Sequence, residues 1–210
     1  MSKIVRLGSI LFVITAATGL ALGGVQALTR GPIARSREQQ KQEALRSTLP
    51  EAESFTELPS PKTGNIEQIF AGYRGKDAAG YSFILKTKGF GGPLKIAAGI
   101  TAQGTLAGIA ILESSETPGL GAKASDPSFT GQFRGKPAKK PLHVYRNGGT
   151  EAVSSATKKK DGSVREGTPV NAISGATVTS KAVTDAVNDA LKYWNLNIRK
   201  KRQKEGGTGK

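Results

Sequence analysis

The sequence is poor in the residues that usually hold metals. It contains no cysteine, one histidine and one methionine among 210 residues. Without thiolates the chain cannot form a disulfide, a thiolate-bound metal site or an iron–sulfur cluster. His143 lies in a run that alternates like a strand, where a lone histidine is typical of a structural or solvent-facing residue. We therefore predict no protein metal site, and any redox group must be organic or held by other ligands.

Two nucleotide-binding signatures are also missing. No Gly-x-Gly-x-x-Gly opens a helix after a strand, and no Walker loop is present. Binding of NAD or ATP by those modes is therefore excluded. We also find no nucleophile or acid–base pair that would turn over a substrate, so the sequence predicts no catalytic residues and no independent turnover.

Acidic residues are scarce as well, with 16 Asp and Glu against 31 Lys and Arg and a formal net charge of +15. Such a balance suggests nucleic acid, anionic lipid or an acidic partner. Part of the charge lies in residues 197–210, which we predict to be a disordered, solvated tail. Contact of this tail with lipid headgroups is the functional alternative. We predict no nucleic-acid partner, because no aromatics interleave the basic run.

Residues 7–29 contain no charged side chain. As a helix this span measures ~34 Å, enough for a hydrocarbon core of ~30 Å. A cleaved signal peptide is the competing interpretation, with 21–23 as a loose cleavage site, but signal cores usually run only ~7–15 residues. We favour a retained transmembrane helix over residues 1–30. The basic residues after it would keep the following domain cytoplasmic by a simple charge count, although long domains translocate with little regard to charge.

The rest of the chain predicts an α+β domain. Residues 31–60 are a juxtamembrane helix and linker, and strand-like runs cover 67–73, 80–87, 94–101 and 106–112, with a tight hairpin at 102–105. Beyond them we expect a short helix at 129–133, a strand at 141–146, a turn at 147–150, a loop or hairpin tip at 156–167, and a short strand at 170–173. Strands in a meander followed by one main helix indicate a largely antiparallel sheet with packed helices over residues 61–196.

The main helix is predicted from Lys181 to Trp194. Its apolar residues recur at i, i+4 spacing, which is typical of a helix packed on a core. Thr179 or Ser180 would be the N-cap. Free N–H groups and the positive dipole end would then face whatever Thr177 carries. On physical grounds alone, a Ser/Thr-rich loop that merely caps the helix explains this stretch better.

The stretch Ser174-Gly175-Ala176-Thr177 also resembles the flavinylation motif of FMN-binding subunits in two related respiratory complexes. These are the G subunit of the Rnf-type ferredoxin:NAD oxidoreductase and the C subunit of the sodium-translocating NADH:quinone reductase. A second segment, residues 116–121, resembles the Glu-Thr-Pro-Gly-Leu-Gly flavin loop of the same family. A third segment, residues 89–94, resembles a family loop that precedes a strand, but more weakly. Read without the family, the second segment is an ordinary surface turn. The chain departs from the family pattern at Asn171, usually acidic, and at Ser114, often His.

The resemblance implies a covalent FMN, esterified through its phosphate to Thr177 by a separate flavin transferase that uses FAD. It places the loop of residues 116–121 beside the flavin ring. The residues implied at the cofactor are Thr177, Ser174, Gly175, Ala176, Val178 and Thr179 in the first motif, and Glu116, Thr117, Gly119, Leu120 and Gly121 in the second.

The function implied is an electron relay within an Rnf-type complex that translocates Na⁺ or H⁺, in contact with its other membrane and redox subunits. The protein would sit in the cell (inner) membrane by one span, with its soluble domain on the extracytoplasmic side. Three alternatives stay open. They are a component of the quinone reductase that is similar to its C subunit, a membrane-anchored module that binds FMN non-covalently or not at all, and a structural protein whose tail binds anionic lipid.

Overall fold

The computed structural model describes residues 3–61, 64–145 and 167–200. The chain divides into two compact units, residues 1–40 and 41–210. The predicted turn at 147–150, nearly all of the predicted loop at 156–167, and the tail from residue 201 lie outside the described residues.

The first element is one long helix, α1 (Lys3–Thr48). It contains both the predicted membrane span and the predicted juxtamembrane helix, with Pro32 inside it. In its apolar part the hydroxyls of Thr15, Thr18 and Thr29 donate to carbonyls four residues earlier, which satisfies them without water. The large apolar side chains between Ile4 and Leu28 are exposed. Within the described residues, α1 is the one helix long and apolar enough to cross a membrane.

Five strands follow in an antiparallel meander, in the spatial order in which they occur along the chain. They are β1 (Ser54–Leu58), β2 (Ile66–Arg74), β3 (Asp77–Lys88), β4 (Pro93–Thr101) and β5 (Leu106–Ser114). The four strands predicted between residues 67 and 112 are confirmed, and so is the hairpin at 102–105, where Gly104 takes a φ of 86°. Strand β1 was not predicted, because this short edge strand buries none of its residues fully and shows no apolar run.

The second half of the domain contains the other helices and a small parallel sheet. A 3₁₀ turn (Gly121–Ser125), helix α2 (Pro127–Thr130) and a second 3₁₀ turn (Gly131–Phe133) lead to β6 (Leu142–Tyr145). Strand β7 (Thr168–Asn171) pairs with β6 in parallel. Helix α3 (Thr177–Tyr193) follows, and a π-helical turn continues it over Trp194–Arg199. The α+β class with a largely antiparallel sheet is therefore confirmed.

Helix α3 begins four residues earlier than predicted, at Thr177 rather than Lys181. The prediction that Thr179 or Ser180 caps the helix is wrong, because Ala176 is the N-cap residue and makes no side-chain capping bond. At the other end, residues 197–199 of the predicted tail belong to the π-helical turn. The apolar periodicity located the packed face of the helix correctly, but it could not locate the first turn, in which Val178 is the one apolar residue among three polar ones.

The two faces of the five-stranded sheet are covered differently. One face packs on α3 through large side chains such as Phe83, Ile96 and Val187. The other face receives the last turns of α1, where Leu45 lies against Phe70 and Ile84. On this second face a Cβ added at Gly99 would lie 1.9 Å from the Thr48 carbonyl oxygen. The core therefore fixes the start of α3 relative to the loops at the ends of β3 and β5.

Candidate functional site

A cavity of about 570 Å³ lies beside the start of α3. This volume is within the range typical of sites for small molecules and cofactors. Three separate segments line the cavity: the loop after β3, the loop after β5, and the stretch from the end of β7 into α3. The lining residues are Phe90; Glu116, Thr117, Leu120 and Gly121; and Ala172, Ile173, Ser174, Gly175, Ala176, Thr177, Val178 and Thr179.

Backbone donors gather where α3 begins. The first intrahelical bond runs from the Ser180 N–H to the Ala176 carbonyl oxygen at 3.0 Å, so the N–H groups of residues 177–179 precede the hydrogen-bond ladder of the helix. Such N–H groups, together with the positive end of the helix dipole, form a site suited to an anion. Thr177 is the first residue of the helix, and its hydroxyl is therefore beside these donors.

The Ser180 hydroxyl holds the lead-in to the helix. It accepts the Ile173 N–H at 2.9 Å and donates to the Ala176 carbonyl oxygen at 2.9 Å. One buried side chain thus connects the strand end to the first turn, although it is not the N-cap. The neighbouring Thr179 hydroxyl is fully buried and has no hydrogen-bond partner within the described residues. A buried polar atom of this kind is costly unless a ligand or water satisfies it.

Among the described residues, Glu116 is the one ionisable residue on the cavity wall. Its side chain is 8% exposed. The Oε2 atom accepts the Gly91 N–H at 3.2 Å, while Oε1 is buried and has no partner in the part of the chain that the structure describes. A buried, unsatisfied carboxylate oxygen is rare in native structures. A donor from a bound water or ligand would satisfy it.

Glycines surround the Glu116 carboxylate closely. A Cβ added at Gly89 would lie 1.8 Å from Oε1, and one at Gly121 would lie 2.1 Å from Oε2. Only glycine permits this approach at either position. The two glycines come from different loops, so their contacts with Glu116 join the loop after β3 to the loop after β5.

The structure brings ten of the eleven sequence-predicted site residues to this cavity and leaves out Gly119. Gly119 instead makes the turn behind the wall with a φ of 78°, where the Thr117 carbonyl accepts the N–H groups of Leu120 and Ala122. The two predicted motifs touch each other, because a Cβ added at Gly175 would lie 3.0 Å from Leu120 Cδ2.

Phe90, Ala172 and Ile173 also line the cavity, and the sequence did not mark them as site residues. Phe90 is 78% exposed and sits between glycines in the loop after β3. Its ring adds apolar surface to the rim of the cavity. An aromatic in a glycine-rich loop was the available signal, although it could not indicate which cavity the loop would border.

The donor set fits a flavin nucleotide. The helix start offers donors for a phosphate, Phe90 and Leu120 offer apolar surface for a ring system, and the unsatisfied atoms of Glu116 and Thr179 offer partners for ring or ribityl polar groups. For a metal the fit is poor: within the described residues no three His, Asp or Glu side chains group together.

Two family models and several known proteins match this sequence. Residues 89–192 match the family model described as FMN-binding domain, and residues 1–47 match the RnfG N-terminal region. The chain is 36% identical over 207 residues to the G subunit of the Na(+)-translocating ferredoxin:NAD(+) oxidoreductase complex of Acetobacterium woodii, covering 91% of this chain and 92% of that one. It is 30% identical to the proton-translocating counterpart of Clostridium ljungdahlii, covering 83% and 82% of the two chains.

A solved structure shares the fold. The crystal structure of the C subunit of the Na(+)-translocating NADH-quinone reductase from Parabacteroides distasonis superposes with a TM-score of 0.51 at 21% identity, covering 76% of this chain and 94% of that one. The sequence matches span both the N-terminal helix and the domain that contains the cavity. The chain therefore belongs to the family of G subunits of Rnf-type ion-translocating oxidoreductases, with an FMN-binding domain over residues 89–192.

Proposed function

We propose that this chain is a membrane-anchored electron-transfer subunit of an Rnf-type ion-translocating oxidoreductase, and that it carries FMN covalently on Thr177. The observation that carries the proposal is the position of Thr177, which is the first residue of α3 and lines the cavity formed by both predicted motifs. A phosphoester there would lie beside the backbone N–H groups of residues 177–179.

The attachment exchanges one bond to phosphorus for another. Thr177 Oγ1 attacks the phosphorus on the flavin side of FAD, and the Oγ1–P bond forms as the P–O bond to AMP breaks. AMP leaves and the hydroxyl proton passes to solvent. A separate flavin transferase would catalyse this step, as the resemblance to the family's flavinylation motif implies.

When bound, FMN supplies the electron-transfer chemistry, and the chain supplies binding, orientation and electrostatics. The N–H groups of the first helical turn would hold the phosphodiester. Phe90 and Leu120 would cover apolar ring surface, and Glu116 Oε1 and Thr179 Oγ1 would accept or donate hydrogen bonds to polar groups. In this proposal no residue of the chain turns over a substrate, so the subunit transfers electrons only as part of the complex.

We further propose residues 1–30 as the start and single membrane span, 31–60 as the juxtamembrane helix and linker, 61–196 as the FMN-binding domain and 197–210 as a basic tail. The family resemblance implies that the domain lies on the extracytoplasmic side, and the flanking positive charge does not oppose this, since long domains translocate largely regardless of charge. Other membrane and redox subunits of the complex are its expected partners. The coupling ion is either Na⁺ or H⁺, because relatives named for each are similar to this chain.

The direct test is in-gel flavin fluorescence of the full chain after denaturation, with the flavin transferase co-expressed. Wild type should give a fluorescent band, and Thr177→Ala should give none, because the acceptor oxygen is gone. Thr177→Ser should keep the band. Thr179→Ala is the comparison variant, because it removes a hydroxyl on the same wall but leaves the acceptor oxygen of Thr177 in place, and it should keep the band.

The alternatives give different results. Flavin that co-purifies but leaves the protein on denaturation would indicate a non-covalent module. A colourless wild type expressed with the transferase would contradict FMN binding altogether. A band lost in Thr179→Ala but kept in Thr177→Ala would move the attachment site by two residues. The complex that co-purifies from the natural host distinguishes an Rnf-type component from a quinone-reductase component.

The absence of cysteine makes the membrane orientation testable. Lys139→Cys places one thiol on an exposed position of the domain, and Lys3→Cys places one before the span. In cells whose inner membrane is intact but whose outer envelope is permeabilised, a thiol reagent that cannot cross the inner membrane should label Lys139→Cys and leave Lys3→Cys unlabelled. The reverse pattern would put the domain in the cytoplasm.

A further inference from the structure

Gln132 holds the strand that leads into the candidate attachment loop. It lies in the 3₁₀ turn after α2, far from both predicted motifs in sequence. Its Oε1 accepts the Asn171 N–H at 2.7 Å, and its Nε2 donates to the Asn171 carbonyl oxygen at 3.3 Å. One side-chain amide thus pairs with both backbone polar groups of a single residue, as a neighbouring strand would.

Asn171 is the last residue of β7, and the backbone beyond it is bonded step by step. The Ala172 N–H donates to the Tyr145 carbonyl oxygen at 2.7 Å. The Ile173 N–H donates to Ser180 Oγ, and the Ala176 N–H donates to the Ile173 carbonyl oxygen at 2.9 Å. Gln132 is the first anchor of this series, which ends where Thr177 begins α3.

The anchor leaves the Asn171 side chain exposed. Gln132 bonds only the backbone of residue 171. The side chain at this position is therefore free to contact another protein. The adjacent Pro169 carbonyl accepts a bond from the Lys136 ammonium, which comes from the same segment as Gln132. Within the described residues, the outer edge of β7 is therefore held by side chains rather than by another strand.

We propose that Gln132 is a positioning residue for flavin attachment, and this inference rests on the proposed function. By fixing Asn171, it holds residues 172–176 in the conformation in which Thr177 meets the flavin transferase and FAD. Without the amide the end of β7 loses two bonds, and the loop spends only part of its time in that conformation. The apparent affinity for the transferase then falls by that fraction, whereas the rate once bound does not change.

The chain contains a matched control on the partner strand. Asn188 of α3 accepts the Leu142 N–H at 2.7 Å and donates to the Leu142 carbonyl oxygen at 2.9 Å. This is the same two-bond arrangement, but it holds the start of β6 instead of the end of β7. If such amides only stabilise the small sheet, removing either should have the same effect on attachment.

The experiment measures the initial rate of covalent flavin incorporation into the purified full chain in detergent. Purified flavin transferase and FAD are supplied, and the chain is varied as the acceptor. Gln132→Ala should raise the KM for the chain about tenfold, the loss expected for two neutral hydrogen bonds, with kcat unchanged. Gln132→Glu keeps the acceptor but, when ionised, cannot donate, so its KM should lie between those of Gln132→Ala and wild type. Asn188→Ala should leave KM unchanged, even where it lowers the melting temperature.

The outcomes separate this inference from the proposed function. If wild type takes up no flavin, the proposed function fails. If wild type is labelled and Gln132→Ala has the KM of wild type, or Asn188→Ala shows the same rise, the positioning role is wrong. Should Gln132→Ala not fold, judged by circular dichroism, Gln132→Met preserves the length and apolar stem of the side chain, and the same rise in KM is expected of it.

Discussion

The two main walls of the cavity offer opposite chemistry. The wall of residues 172–179 presents donors, namely the N–H groups at the start of α3 and the hydroxyl of Thr177. The wall of residues 116–121 presents an acceptor, the Glu116 carboxylate, with one oxygen unsatisfied within the described residues. A ligand that fits both walls needs an anionic end and a hydrogen-bond-donating end, and FMN has both.

The two walls are also held by different means. The donor wall includes the N-terminal turn of α3. The inner face of this helix, including Val183, Ala186 and Val187, is fully buried on the sheet. The acceptor wall is a loop in which glycines let the backbone approach Glu116 closely. The donor wall therefore depends on apolar packing and one serine, whereas the acceptor wall depends on the absence of side chains.

The largest expected effect comes from adding one methyl group to the acceptor wall. In Gly121→Ala the new Cβ would lie 2.1 Å from Oε2 and 2.9 Å from the Cβ of Glu116, so the whole Glu116 side chain must move. We expect a loss of about 1–3 kcal/mol in the free energy of unfolding, together with a fall in flavin incorporation. Denaturant unfolding and in-gel fluorescence measure the two effects.

Gly119→Ala is the control for that comparison. It lies two residues away and has no atom within 4 Å of the added Cβ, but its φ is +78°. Only backbone strain of about 1–2 kcal/mol is expected, and flavin incorporation should stay as in wild type. Equal losses of incorporation in both variants would mean that the loop as a whole matters rather than the contact with Glu116.

The second-largest effect is expected from removing a hydrogen bond that holds the donor wall. Ser180→Ala removes the acceptor of the Ile173 N–H and leaves that half-buried group without its bond. A cost of about 1–3 kcal/mol is expected, and amide hydrogen exchange of Ile173 should accelerate. In the matched variant Thr184→Ala, the lost hydroxyl only donates to the Ser180 carbonyl within the helix, so Ile173 exchange should not change. If Ile173 exchange is unaffected in Ser180→Ala, the lead-in is held by other contacts.

The smallest structural change tests the charge of the acceptor wall. Glu116→Gln keeps the shape but removes the negative charge, which opposes the extra electron density of a reduced flavin. The midpoint potential of the bound FMN should rise by ~30 mV or more, equivalent to about a tenfold shift in the two-electron equilibrium. Glu113→Gln, on the exposed end of β5, should leave the potential unchanged. A potential that does not differ between Glu116→Gln and wild type would place this carboxylate away from the flavin.

Much of the fold could be predicted from local patterns. Alternating apolar residues predicted β2 to β5, and i, i+4 spacing predicted the packed face of α3. Local patterns do not predict the edge strand β1, because its pairing with β2, rather than its own composition, makes it a strand. The sequence places the start of α3 too late because Thr177, Val178 and Thr179 lack the apolar i, i+4 spacing that marks the rest of the helix.

The site was predicted less completely than the fold. Both motifs were found by resemblance. Phe90 lies in the weaker third segment, residues 89–94, but was not assigned to the site because nothing in the sequence indicates which cavity this loop borders. Gly119 was assigned to the cavity, whereas it shapes the turn behind it. Gln132 gave no signal, because a glutamine that pairs with a distant backbone looks like any polar surface residue.

The properties that the amino-acid order alone predicts are local: a charge-free span long enough for a bilayer, the strand and helix periods, the absence of thiolate chemistry, and the two motif segments. Three features are visible only in the folded chain. Phe90 and the two motifs border one cavity, Glu116 and Thr179 are buried there with oxygen atoms that have no partner among the described residues, and Gln132 holds Asn171. The physical reason is that periodicity depends on neighbours along the chain, whereas burial and hydrogen-bond pairing depend on segments that meet only after the sheet and α3 have packed.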